Sequence, residues 1–132
     1  MGYARVQGAI ANSPNHESKV AVDLLVDTGA IYSVVPKTLA EQVNLKVLGK
    51  RKFRTGSGIV DMPIAEAYLT VDGEGVTTIV ALYADENIPV PLGVTTLELL
   101  GLQVDPVTGK LKPLDLLILM VRPQIKWVGT II

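Results

Sequence analysis

With 132 residues the chain is long enough for one domain with its own core and short for two. It is 48% hydrophobic and only 19% charged, below the roughly 25% of ordinary domains, so part of its apolar surface is expected to be covered by a partner. A net charge of −1 excludes the basic excess that nucleic acid or an anionic membrane would need; the lack of cysteine excludes disulfides and thiolate chemistry, and the single histidine, His16, excludes a His-rich metal site.

The texture is that of an all-β protein, with valine-rich runs broken at short intervals by Gly, Pro, Asn and Asp. Tyr3 to Ile10 reads as a strand, followed by the turn Asn12-Ser13-Pro14-Asn15. Lys19 to Val26 reads as a second strand that runs directly into Asp27-Thr28-Gly29, and Ile31 to Val35 as a short third. Pro36 suits the first residue of a short helix carrying Leu39 and Val43 on one face. Lys50 to Thr55 and Ile59 to Asp72 flank Gly56-Ser57-Gly58 as the arms of a hairpin. In the second arm Ala65, Ala67, Leu69 and Val71 alternate with Glu66, Tyr68, Thr70 and Asp72, which predicts a two-faced strand. Asp72-Gly73 turns the chain and Val76 to Tyr83 returns it. The one well-marked helix is late: Thr95 and Glu98 form a capping box, Leu97, Leu99 and Leu100 give apolar bulk, and Gly101 stops it. A turn over Asp105 to Gly109 follows.

No repeat, linker or signal-peptide pattern is evident, and Val6 stands where N-myristoylation needs Ser or Thr. The longest apolar run, Leu116 to Val121, is far short of the roughly 20 residues of a membrane span. The expectation is a soluble cytoplasmic protein with no membrane partner.

The chemistry concentrates in Leu24-Leu25-Val26-Asp27-Thr28-Gly29-Ala30. Three apolar residues bury the strand, so the carboxylate that follows emerges at the edge of a core. Thr28 can hydrogen-bond locally, and Gly29 lets backbone amides approach the carboxylate. Asp-Thr-Gly after a strand is also an ordinary turn. Two enzyme motifs share this shape and fail. A phosphate-transferring aspartate needs a second Asp where Gly29 stands, and a GTPase switch needs a GxxxxGK[ST] loop that the chain lacks. Downstream, Pro91-Leu92-Gly93 precedes the Thr95 to Gly101 helix and Leu102-Gln103-Val104-Asp105.

The ordered set of Asp27-Thr28-Gly29-Ala30, a glycine-tipped hairpin, and an apolar-Gly step before a short helix resembles the retropepsin-like aspartic proteases, from Tyr3 to about Lys112. The resemblance implies a single-domain, closed β-barrel with a flap hairpin and one short late helix, acting as a homodimeric endopeptidase on peptides or unfolded protein without metal or cofactor. By that resemblance Asp27 is the catalytic aspartate, Thr28 braces the paired active-site loops, Gly29 places its amide against the carboxylate, and Ala30 leaves it without a side-chain donor. Gly56, Ser57 and Gly58 form the flap tip, and Gly93 passes close beneath the catalytic loop. A catalytically weak or inactive dimerisation or peptide-binding module on the same fold is the alternative, and an unrelated β-barrel with a chance turn motif a third.

The chain departs from the retroviral pattern in three places. Ile31 and Val94-Thr95 occupy the regions of an expected Asp/Glu–Arg pair, Pro91 replaces a branched apolar residue, and the tail from Leu114 to Ile132 is long. The tail is expected either to join the dimer interface or to add a core strand. Lys50-Arg51-Lys52 reads as a solvated shoulder of the flap, and Trp127 as core or interface.

Overall fold

The computed structural model describes residues 4–15, 19–84 and 89–119. Strand β1 (Arg5–Ala11) lies between β2 (Val20–Val26) and the inner half of β5 (Gly58–Val71), antiparallel to both. β5 pairs in turn with β6 (Glu74–Tyr83) and, along its outer half, with β4 (Lys46–Thr55). Two parallel pairings finish the sheet: β3 (Ser33–Pro36) on β6 and β7 (Val90–Leu92) on β2. The order is β3-β6-β5-β1-β2-β7, with β4 branching from β5. Helices α1 (Lys37–Gln42) and α2 (Val94–Leu100) follow β3 and β7, and β8 (Leu102–Val104) pairs with β9 (Leu111–Pro113) as a separate ribbon.

The alternation expected along β5 is observed. Ala65, Ala67, Leu69 and Val71 are each 0% exposed and join Ile10, Leu24, Val35, Val80 and Leu92 in one core. The outer half of the same strand buries nothing from Gly58 to Asp61, and β4 is exposed over most of its length. The β4–β5 hairpin therefore projects beyond the core as a two-stranded arm held by its ladder. Its far end is tight: Thr55 pairs with Gly58 across Gly56-Ser57. The β5–β6 turn has positive φ at both central residues, 51° at Asp72 and 82° at Gly73, as a type I′ hairpin requires.

Several local expectations change in the structure. Among the described residues the sheet is open, not a closed barrel, because no ladder joins its end strands β3 and β7. The gap is bridged by isolated bonds. The Gly93 amide donates to Ser33 Oγ at 2.9 Å, and the Val94 and Thr95 amides donate to the carbonyls of Ala30 and Ile31 at 2.8 and 3.0 Å. The same bonds explain why Thr95 and Glu98 form no capping box. α2 begins at Val94 with Gly93 as its N-cap and no side-chain cap, since loop carbonyls already take its first amides. Its stop at Gly101, in the left-handed region at φ 68°, is as expected. Pro36 is the N-cap of α1 rather than its first residue.

Three short strands, β7, β8 and β9, carry too few residues to show an alternation, and the sequence reading passes over them. The run from Leu116 has no strand partner through Leu119, where its side chains are 61–82% exposed. His16, the later tail and Trp127 lie outside the described residues.

Candidate active site

Asp27 follows β2 directly, and its position is set by the main chain. β2 runs parallel to β7 with Val26 opposite Leu92, and the Asp27 amide extends that pairing by donating to the Leu92 carbonyl at 3.0 Å. β7 is an end strand, where a proline such as Pro91 is tolerated because one edge needs no donor. The loop then folds back: the Ala30 amide donates to the Asp27 carbonyl at 3.2 Å, and the Gly29 amide to Asp27 Oδ1 at 3.0 Å. A Cβ at Gly29 would sit 3.3 Å from that carboxylate oxygen. Asp27 is half-buried, whereas Thr28 is exposed and makes no side-chain hydrogen bond among the described residues.

Beneath the loop the chain crosses itself at Gly93. A Cβ there would meet the Tyr32 main chain, with the carbonyl oxygen at 2.6 Å and the Ser33 nitrogen at 2.7 Å. A buried hydroxyl network holds the crossing. Ser33 Oγ, which accepts the Gly93 amide, lies 2.8 Å from Thr96 Oγ1, which lies 3.1 Å from Thr78 Oγ1. All three side chains are inaccessible or nearly so, and every one has a partner, as burial of hydroxyls demands.

Above the loop the β4–β5 arm closes one side of a cleft of about 740 Å³. Asp27, Gly29 and Ala30 lie at its floor, with Ile31, Tyr32 and Val34 beside them. The arm contributes Arg51 to Gly56 and Met62. Tyr32 and Phe53 join the two walls with their rings edge to face, centroids 5.8 Å apart. Of the residues singled out from sequence, Asp27, Gly29, Ala30 and Gly56 line this cleft, Gly93 supports it from below, and Thr28, Ser57 and Gly58 do not line it. No local pattern in the sequence marks Tyr32, Phe53 or the hydroxyl network. Tyr32 and Phe53 are lone aromatics beside turn residues, and the three hydroxyls are scattered over more than sixty positions. A second cavity, about 570 Å³ between α1 and β4, contains no residue of the Asp27 loop.

The chemical content is one half-buried carboxylate, steadied by a backbone amide, opening into that cleft. No group of three or more His, Cys, Asp or Glu able to hold a metal occurs among the described residues, and no helix among them is long and apolar enough to cross a membrane.

The fold is similar to that of EIAV protease complexed with the inhibitor HBY-793, at 16% identity and a TM-score of 0.58 over 74% of this chain and 86% of that one. It is also similar to the retroviral protease-like domain of Ddi1 from Leishmania major, at 16% identity and a TM-score of 0.54 over 82% of this chain and 86% of that domain. The protease of simian foamy virus (mac) matches at 16% identity and a TM-score of 0.52, over 72% and 92% of the two chains. No curated protein matches the sequence. These likenesses establish a retropepsin-like fold, and a family model for aspartyl proteases matches residues 6–108, a span that takes in the Asp27 loop, the β4–β5 arm and α2, so the chain belongs to the aspartyl protease family.

Proposed function

We propose that the chain is one subunit of a homodimeric aspartic endopeptidase, with Asp27 as its catalytic group and the β4–β5 arm as the flap over substrate. The observation that carries this reading is the Asp27 carboxylate itself, held at Oδ1 by the Gly29 amide and facing the cleft under the arm. The chain holds one Asp-Thr-Gly, and general acid–base hydrolysis by carboxylates needs two, so the second comes from another copy across a two-fold axis. Apolar side chains left exposed beside the loop and beyond it support such a contact: Ile31 is 63% exposed, Leu99 52%, and Leu116 to Leu119 61–82%. The segment from residue 114 to 132 is assigned to that interface, and the remainder to one retropepsin-like domain.

Two carboxylates about 3 Å apart cannot both ionise, so the pair shares one proton. The ionised Asp27 takes a proton from water as the water oxygen bonds to the peptide carbonyl carbon. The protonated Asp27 of the second subunit gives its proton to the carbonyl oxygen. The carbon–nitrogen bond then breaks as the nitrogen receives a proton from the first Asp27 and one hydroxyl of the tetrahedral carbon returns its proton to the second, releasing an acid and an amine with no covalent intermediate and restoring the shared proton. An extended peptide held by its main chain under the arm is the substrate class.

The test compares wild type with Asp27→Asn on a peptide library, with a pepstatin-class inhibitor as control and sedimentation equilibrium for the assembly. The expected result is a dimer whose cleavage falls by roughly 10²–10⁴-fold in the variant. Equal cleavage by both proteins overturns the enzyme reading. Peptide binding without cleavage by either moves the assignment to a binding module.

A further inference from the structure

The β4 arm of the hairpin carries five cations in ten residues: Lys46, Lys50, Arg51, Lys52 and Arg54. Three of them, Arg51, Lys52 and Arg54, line the same cleft as Asp27, which is the only carboxylate among its lining residues. Lys52 is already paired with Asp61 across the hairpin, at 3.2 Å. Arg51 and Arg54 have no carboxylate within ion-pair distance among the described residues.

Arg51 is the better placed of the two. Residues two apart on a strand share a face, so Arg51 stands on the face of Phe53, whose ring is fixed against Tyr32. Its cross-strand partner is Met62, which is buried and also lines the cleft. The guanidinium makes one bond, from Nη1 to the Lys50 carbonyl at 2.9 Å, which steadies the head and leaves its remaining donors free of protein partners among the described residues. The cleft thus combines apolar lining from Ile31, Val34 and Met62 with cations along the arm.

We propose that this wall is an anion subsite. Arg51 selects peptides that place an Asp or Glu side chain a few residues from the apolar pair being cut. Guanidinium is suited to that task because its planar donor fork matches a carboxylate in two bonds. The inference rests on the proposed proteolytic reading. In a two-fold dimer each substrate half meets its own Arg51, so the acidic preference falls at corresponding positions on both sides of the scissile bond.

The experiment uses full-length protein and pairs of peptides identical except for Glu or Gln at each flanking position. For wild type the Glu peptide is expected to be cleaved with kcat/KM roughly 2- to 5-fold above its Gln partner at the recognised position, and the gap shrinks as salt rises. Arg51→Gln, an exposed substitution, removes the gap, and Arg51→Glu inverts it toward a Lys peptide. Lys110→Gln, the same charge loss in the distant β8–β9 turn, leaves it unchanged. Equal cleavage of Glu and Gln peptides by wild type, or an undiminished preference in Arg51→Gln, overturns the subsite while leaving the protease reading standing. The same pairs are titrated by fluorescence anisotropy against Asp27→Asn. A Glu preference in binding with no hydrolysis by wild type supports the subsite and overturns the protease reading, and no preference in either measurement overturns the subsite.

Discussion

The Ser33 hydroxyl accepts the amide of Gly93 at 2.9 Å in the interior, joining chain segments sixty residues apart. It stands where the end strands β3 and β7 approach without pairing, and so does work that a ladder does elsewhere in the sheet. Replacing Ser33 by Ala strands the Gly93 amide and takes one partner from Thr96 Oγ1. The expected cost is about 1–3 kcal/mol of stability, measured by urea unfolding, because a buried donor left unpaired loses its full solvation. A variant within a few tenths of a kcal/mol of wild type would show that water reaches the amide.

Two glycines in or near the cleft should respond oppositely to the same substitution. A methyl at Gly93 runs into the main chain of Tyr32, which cannot swing aside as a side chain could. Gly93→Ala is expected to cost about 1–3 kcal/mol or more and to lower cleavage by shifting the Asp27 loop. At Gly56 a Cβ meets nothing within 4 Å. Gly56→Ala should stay within about 0.5 kcal/mol of wild type. Thermal unfolding of the two variants side by side checks both.

Asp105 gives stability a pH dependence that can be signed. The Val107 amide donates to its carboxylate at 2.8 Å and holds it below the ordinary carboxylate range, with Lys112 and the Thr108 amide acting in the same direction and desolvation opposing them. A carboxyl depressed in the folded state stabilises fully above its unfolded pKa, and that contribution is lost as pH falls through the folded value. Asp105→Asn should therefore lower the urea midpoint near neutral pH, and the gap to wild type should close as the medium is acidified below about pH 4. A gap that persists unchanged in acid would assign the effect to shape rather than charge.

Ala30 lines the cleft floor beside Asp27 and offers no hydroxyl to it. A serine there could donate to the ionised carboxylate and favour that form. Under the proposed mechanism Ala30→Ser moves the acid limb of the pH–rate profile downward relative to wild type. An unmoved limb would mean that the added hydroxyl turns away from the pair.

Much of this architecture is written in local pattern. β5 was legible because its inner half alternates strictly, and a strand with one face in a core has to do so. Asp72-Gly73 and Gly101 were legible because positive φ restricts the choice of residue. Asp27 was legible because a polar residue ending the run Leu24-Leu25-Val26 must emerge where burial stops. The start of α2 was misread for the complementary reason. Its first amides are satisfied by the carbonyls of Ala30 and Ile31, far away in sequence, so the local capping pair is not needed.

By itself, then, the sequence determined the strand periodicity, the tight turns and the carboxylate that ends the apolar run of β2, all of which follow from interactions within a few residues. Only the tertiary structure decided that Ser33, Thr78 and Thr96 share one buried network, that among the described residues no ladder joins β3 to β7, and that Arg51 lines the Asp27 cleft. Those outcomes depend on which distant segments meet, and a hydroxyl or a guanidinium carries no mark in the chain of the partner it will find.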